Sequence, residues 1–379
     1  MTSQGLLSGA ATASQLELES RTPSNSSKAT SRSLVDSHGR TLRDVRVSIT
    51  DRCNFRCMYC LPETEAAANF YRGRWSQTGF NPEPITRQWV PRAKILSFEE
   101  IERVVRVLVS LGIEKVRLTG GEPLLRQEIE KLVARIATIE GVRDLALTTN
   151  GFHFKQKGKA LRDAGLRRIS FSLDSLDREN FHKITGRDGL QEVLESIRYA
   201  QELGLDPVKV NAVIIREIND HEIEGLAQFA AEQGVIMRFI EFMPLDSGKA
   251  WMKELVVSGK EILDRLQAGF QLDAVPGRAS ETAKRWSIRG SKAEVGIIAP
   301  VSEPFCGHCD RLRLTADGKI RTCLFSVQEH DLRSMLRAGA SDGDLSEFFH
   351  SVALQKEAGH RIGQPDFVAP SRSMSCIGG

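Results

Sequence analysis

From Asp44 onward the chain alternates short β-branched runs with longer stretches whose apolar residues recur every three or four positions. The short runs are DVRVSIT from Asp44, KVRLTG from Lys115, DLALTTN from Asp144, RRISFSLDS from Arg167, PVKVNAVII from Pro207 and VIMRFIEFM from Val235. Between the first two, SFEEIERVVRVLVSLG puts Ile101, Val104, Val105, Leu108 and Leu111 on one face of a helix. Ser97 and Glu100 form a capping-box pair at its start, and Gly112 stops it. Repeated βα units with near-continuously apolar strands predict a parallel sheet buried on both sides, either doubly wound or curled into an open (βα)₆ barrel.

Polar residues favour the barrel. Thr119, Thr148, Asn150, Ser172, Asp174, Lys209, Asn211, Glu241 and Met243 fall at or near the C-terminal ends of these runs, the rim on which barrels build active sites. Loops are polar in general, which accounts for part of the set. It accounts less well for TGGEP, TTNG and SLD all occurring at the same structural step. Upstream, residues 1–38 are rich in Ser, Thr and Ala and predict a disordered extension. Glu17, Glu19 and Asp36 argue against a transit peptide. The barrel is expected over 39–245. Residues 62–94, with Pro62, Pro82, Pro84 and Pro91, read as a lid or insertion. After about Leu245 the βα rhythm stops, and 246–379 reads as a second region holding helical stretches around the strand-like AEVGIIAPV.

The candidate chemistry is thiol chemistry. CNFRCMYC sets Cys53, Cys57 and Cys60 in C-x₃-C-x₂-C spacing on the loop after the first strand. Three thiolates converging on a soft metal centre leave one corner without a protein ligand; iron–sulfur clusters normally take four thiolates, and a zinc knuckle would also want a fourth ligand. A second set, Cys306, Cys309 and Cys323, spans RLRLTADGKIRTC, whose Asp317-Gly318 predicts a β-hairpin returning Cys323 to the C-x₂-C turn. A second cluster and a structural zinc with His308 or His330 both remain open there. Arg311 and Arg313 alternate on the hairpin's first strand, either as solvated residues or as planar forks for phosphate or carboxylate. The seventh cysteine, Cys376, reads as a bystander. Thiols grouped this way suggest metal binding in a reducing, cytoplasmic setting rather than disulfides.

Composition narrows the classes. A net charge of +3 with 27% charged residues gives no case for a nucleic-acid partner. No apolar run approaches the ~18 residues that span a bilayer.

Taken together, CNFRCMYC, TGGEP, TTNG, SLD, CGHC…RLR…C and the final Gly378-Gly379 resemble the GTP 3′,8-cyclases of molybdenum-cofactor biosynthesis, within the radical S-adenosylmethionine superfamily. The resemblance covers nearly all of 40–379. It implies an incomplete (βα)₆ TIM-like barrel closed by a C-terminal α+β iron–sulfur domain. It implies two [4Fe-4S] clusters, the first on Cys53, Cys57 and Cys60 and the second on Cys306, Cys309 and Cys323, each with one open iron. S-adenosylmethionine would bind at the first, contacted by Tyr59, Gly121, Ser172 and Met243; Gly121 suits this because a residue without Cβ lets backbone approach a ligand. GTP would meet Arg46, Arg117, Thr148, Lys209, Arg311, Leu312 and Arg313, with guanine on the second cluster. A 5′-deoxyadenosyl radical would take the hydrogen at C3′ of GTP, and the C3′ radical would add to guanine C8, giving (8S)-3′,8-cyclo-7,8-dihydroguanosine 5′-triphosphate. Arg311, Arg313, Gly378 and Gly379 would serve the cyclisation. The partners implied are a reductant protein of unknown identity, a downstream cyclic pyranopterin monophosphate synthase, and a second copy in a homodimer. Two other readings stand beside this one: a peptide-modifying radical enzyme, and a zinc-dependent binding module with both triplets structural.

Overall fold

The β-branched runs form strands as their pattern requires, and their register brings the site together. The computed structural model describes residues 33–70, 89–245 and 251–378; the expectations for 1–32, for most of the 62–94 segment and for Gly379 lie outside the described residues. The strands are β1 (Asp44–Ser48), β2 (Lys115–Thr119), β3 (Asp144–Thr149), β4 (Arg168–Ser172), β5 (Val208–Ile214), β6 (Ile236–Glu241), β7 (Leu272–Val275), β8 (Lys284–Ile288), β9 (Glu294–Ile298), β10 (Arg311–Leu314), β11 (Lys319–Arg321) and β12 (His330–Asp331). They make a single 12-stranded sheet in the order β12-β11-β10-β1-β2-β3-β4-β5-β6-β9-β8-β7. Pairing is parallel from β10 through β9 and antiparallel in the outer strands.

Helices α1 (Phe98–Ser110), α2 (Ile129–Ala137), α3 (Phe154–Asp163), α4 (Arg178–Thr185), α5 (Leu190–Glu202), α6 (Ile223–Gln233) and α7 (Gly259–Gly269) connect or follow the strands. The α1 capping box is present, with the Glu100 N–H donating to Ser97 Oγ and the Ser97 N–H to Glu100 Oε2. Gly112 at φ +96° ends the turn. Ile101, Val104, Val105 and Leu108 are buried against the sheet as the spacing predicts. Each such side chain contributes about 1.5–3 kcal/mol by leaving water. No helix among the described residues is long and apolar enough to cross a membrane.

Two expectations change. The strands are not apolar on both faces. In β5, Val208, Val210, Ala212 and Ile214 are buried, while Lys209, Asn211 and Val213 between them are only half-buried. The same parity puts Arg46, Arg117, Thr148, Ser172 and Arg238 on the face away from the core, because that face borders a cavity rather than a second packed layer. Second, residues beyond 245 add to the same sheet instead of standing apart from it. β9 pairs with β6 and β10 with β1, so both flanks of the six-stranded run are extended by the C-terminal region. Nothing local in AEVGIIAPV or RLRL announces these long-range pairings.

The boundary expected after residue 38 falls inside a packed segment. Leu34 and Leu42 are fully buried, Val35 bridges Thr41, and Arg40 Nε donates to Asp36 Oδ2 at 2.6 Å. The Ser-rich composition upstream hides this pair of leucines and its internal ion pair.

Candidate active site

The loop after β1 carries the first thiols. Arg56 and Met58 donate their N–H groups to the Thr185 and Ile184 carbonyls, which ties the loop to the end of α4. Phe55 fills the space behind it, edge-on to Phe152 and Phe181 at centroid distances of 6.0 and 5.9 Å. The end of β2 presses against the same loop, for a Cβ on Gly121 would lie 2.3 Å from the Arg52 carbonyl oxygen. Gly121 therefore admits the cysteine loop itself, a different reason for glycine from the ligand approach that the motif alone suggests.

Carboxylates stiffen this half of the site. Glu122 accepts hydrogen bonds from Leu124 N, Thr149 Oγ1 and Asn150 N at 2.7–2.9 Å. Burial still pushes its carboxyl up to about 7. Asp174 accepts from the Tyr59 hydroxyl at 2.7 Å and the Val213 N–H at 2.8 Å, and burial raises it to about 6. Burial and then Glu122 raise Cys53 to about 11.

The second triplet sits in cationic surroundings. Cys306 and Cys309 flank one 3₁₀ turn, and Cys323 follows β11 across the antiparallel hairpin. Arg40 reaches over to donate to the carbonyls of Cys306 at 2.7 Å, Ala358 at 2.9 Å and Glu357 at 2.5 Å. The buried Lys356 ammonium donates to the Arg311 carbonyl at 2.9 Å and to that of Thr322. At Cys309 the effect of burial is outweighed by Arg311 and Lys356, which bring the thiol down to about 7.

A single cavity joins the halves. Its lining includes Cys53, Cys57, Cys60, Cys306, Cys309, Cys323, Tyr59, Gly121, Ser172, Met243, Arg46, Arg117, Thr148, Arg311 and Arg313. Arg46 lies between Arg117 and Arg313 in the strand register. Burial draws Arg46 down to about 10 and Arg238 to about 9, with neighbouring arginines adding to the effect. Arg46 Nε, Arg238 Nε, Arg311 Nη2, Thr119 Oγ1 and Asn211 Oδ1 are buried without a hydrogen-bond partner. So many confined cations with free donors call for an anion.

Some expected residues sit elsewhere. Lys209 is absent from the cavity wall; it lies among Arg238, Arg168, Arg117 and Arg285, and burial followed by those charges lowers it to about 7. The Leu312 side chain is fully buried in the core, on the opposite face of β10 from the arginines. Gly378 meets the site through its carbonyl, which accepts from Arg313 Nη1. His308 is exposed and His330 is on β12; neither lines the cavity. Among the described residues, no three His, Cys, Asp or Glu side chains converge at the spacing of a single ion. Sequence reasoning missed Arg238 and His360 in the wall. Strand parity was the available signal for Arg238; none existed for His360.

The Radical SAM superfamily model matches residues 47–230, and the Molybdenum Cofactor Synthesis C model matches 235–362. GTP 3′,8-cyclase of Streptomyces coelicolor is 43% identical over 349 residues, 91% of this chain and 96% of that protein. GTP 3′,8-cyclase of Rhodopirellula baltica is 42% identical, covering 91% of this chain and 92% of that protein. The chain belongs to the GTP 3′,8-cyclase family. The fold of this GTP 3′,8-cyclase relative is also shared by SuiB of Streptococcus suis, solved with S-adenosylmethionine bound, at a TM-score of 0.55 and 13% identity over 82% of this chain and 69% of that one. Within the GTP 3′,8-cyclase family frame, both matched models contribute to one cavity. The radical SAM part supplies Cys53, Cys57 and Cys60, and the C-terminal part supplies Cys306, Cys309 and Cys323.

Proposed function

We propose that this cavity is where GTP is cyclised, with S-adenosylmethionine held at the first thiol triplet and GTP between the arginine wall and the second. The chain is a radical S-adenosylmethionine enzyme of molybdenum-cofactor biosynthesis that cyclises GTP. The observation carrying the assignment of the site is that both thiol triplets and the arginines of β1, β2, β6 and β10 open onto the same space.

The donor sets fit the groups proposed. Each triplet offers free thiols facing one cavity, the ligands iron–sulfur clusters take. Cys53, Cys57 and Cys60 would hold one [4Fe-4S] cluster, and Cys306, Cys309 and Cys323 the other. S-adenosylmethionine on a reduced cluster supplies radical chemistry, with the electron coming from a reductant protein.

The chain's own residues bind, orient and exclude water. Asp174 fixes the Tyr59 phenol, so the aromatic ring preceding Cys60 stays in place on the cavity wall that Ser172 and Met243 also line. Glu122 fixes the turn that carries Asn150, whose Nδ2 donates to Asn54 Oδ1 at 2.8 Å within the cysteine loop. Phe55, Phe152 and Phe181 close the loop's rear against water. Arg46, Arg117 and Arg238 would take the triphosphate, whose oxygens suit planar guanidinium forks, with unpartnered Nε donors on Arg46 and Arg238. Arg311 and Arg313 stand between these and the second triplet, next to Gly378. Lys209 would add charge from beneath. We read the sheet as curling into an incomplete barrel whose open side the region after 245 closes, since inward residues from β1 through β6, β9 and β10 share one lining. We propose a second copy and a downstream synthase as the partners that go with this reading.

Anaerobic incubation with GTP, S-adenosylmethionine and dithionite tests the reading, with mass spectrometry for the cyclised nucleotide. Protein carrying about eight iron per chain and making that product is the expected result. Protein carrying about two zinc and no iron would sink it.

A further inference from the structure

The C-terminal segment is not loosely appended. Arg372 Nη1 and Nη2 donate to Asp317 Oδ1 and Oδ2 at 2.8 and 2.9 Å, and Nη2 lies 3.2 Å from Glu329 Oε2. Both carboxylates belong to the hairpin region that carries Arg313 and Cys323. Asp317 is the turn between β10 and β11 and is also held by Thr315 Oγ1 at 2.6 Å. Glu329 precedes β12 and takes a second guanidinium, that of the fully buried Arg321, at 2.7 Å. Burial would raise the Asp317 carboxyl, yet the bonds from Arg372 and Thr315 leave it below the usual carboxylate range. Beyond Arg372 the chain turns inward: Ile377 is fully buried with Leu245, Phe325 and Ile362, and the Gly378 carbonyl meets Arg313.

We propose that Arg372 is a positioning residue whose two-carboxylate grip on Asp317 and Glu329 sets the register of residues 373–378 and so delivers Gly378 to Arg313. The consequence for cyclisation rests on the reading of the cavity as the GTP site; the grip itself does not. A planar fork that meets both oxygens of one carboxylate fixes angle as well as distance, which a point charge cannot do. With the fork anchored on the arginine hairpin, the tail and Arg313 move as one body. Without it, the burial of Ser373, Ser375, Ile377 and Gly378, the packing of Met374 and the Arg313–Gly378 contact still oppose release, but none fixes the tail's angle on the hairpin.

Cys376 reports on the tail directly, because it lies between the buried Ser375 and Ile377. Its alkylation by N-ethylmaleimide is followed by peptide mapping in anaerobically purified holoprotein, alongside hydrogen exchange of residues 311–331. In Arg372→Ala, labelling of Cys376 is expected to rise about ten- to hundredfold, with exchange of the hairpin unchanged and cyclised product falling at least about tenfold. Arg372→Lys should lie between. Labelling within twofold of the unaltered protein overturns the proposal, as does faster exchange throughout 311–331, which would make Arg372 a support of the hairpin. If the unaltered protein makes no cyclised nucleotide, the cavity reading fails, and the labelling ratio still decides the grip.

Discussion

Cys57 and Cys309 both face the same cavity, from opposite electrostatic surroundings. Burial and then Asp174 push the Cys57 thiol well up, whereas at Cys309 the Arg311 guanidinium and Lys356 ammonium outweigh burial and bring it to about 7. The first half of the site places Glu122 and Asp174 among its nearest charges; the second places Arg311, Arg313 and Lys356 there. A chamber divided in this way sorts its ligands by charge: the sulfonium and ammonium of S-adenosylmethionine suit the first half, and a triphosphate suits the arginines. On the reading proposed above, the division also separates two tasks, radical generation and substrate placement, so damage to each half should fail differently.

The largest effect follows from removing one thiol in each half. Cys57→Ala should abolish 5′-deoxyadenosine formation, measured chromatographically under anaerobic conditions. Cys309→Ala should abolish the cyclised nucleotide while slow, uncoupled release of 5′-deoxyadenosine persists. Equal loss of both products in Cys309→Ala would break the division.

Next comes the arginine wall. Arg238→Met removes a confined cation with an unpartnered Nε from a group of like charges. Two opposite shifts are expected: GTP binding, read by calorimetry, weakens by about 2–3 kcal/mol, as when a charge-assisted contact is lost, while the ligand-free protein melts higher by about 1–2 kcal/mol of stability, because an uncompensated buried charge is gone. A variant that both bound GTP normally and melted lower would mean Arg238 serves the fold. The corresponding change at Arg40 acts on the support of the second triplet. Arg40→Ala frees the Cys306, Glu357 and Ala358 carbonyls and should cost about 2–3 kcal/mol of stability, seen as a lower denaturant midpoint.

These residues differ in how far the sequence reveals them. CNFRCMYC, the Ser97–Glu100 box and the Asp317-Gly318 hairpin are legible because spacing within a few residues determines their geometry. Arg238 was legible in principle: with strand parity applied to MRFIEFM, it falls on the same face as Ile240, which lines the cavity. The Arg40 contact to Cys306 spans 266 positions and no local rule anticipates it. Nor does any local pattern say that β9 and β10 join opposite flanks of one sheet, since such pairings are decided by what the whole core must cover. Gly121 carries a second reason that the sequence does not show, since it lines the cavity and also admits the Arg52 backbone. A glycine signals close approach, but only the fold tells whether a ligand or a neighbouring loop approaches.

The smallest expected effect, and the one that best measures the charge of the arginine half, is a pH dependence at Lys209. Burial and the charges of Arg238, Arg168, Arg117 and Arg285 lower its ammonium to about 7, against an ordinary 10.5 in the unfolded chain. Between those values the unfolded chain holds a proton that the folded protein lacks, so stability should rise with pH across that window, by at most about 1.4 kcal/mol per pH unit from this group. Binding a triphosphate reverses the sign. The added negative charge restores the ammonium, so the complex takes up a proton and GTP affinity falls as pH climbs above 7. Calorimetry at pH 8.5 in two buffers of different ionisation enthalpy should then report uptake approaching one proton per GTP, and Lys209→Met should abolish it. No uptake by the unaltered protein would mean that the nucleotide's phosphates lie away from Lys209, and that the cationic half is aimed at something other than the triphosphate.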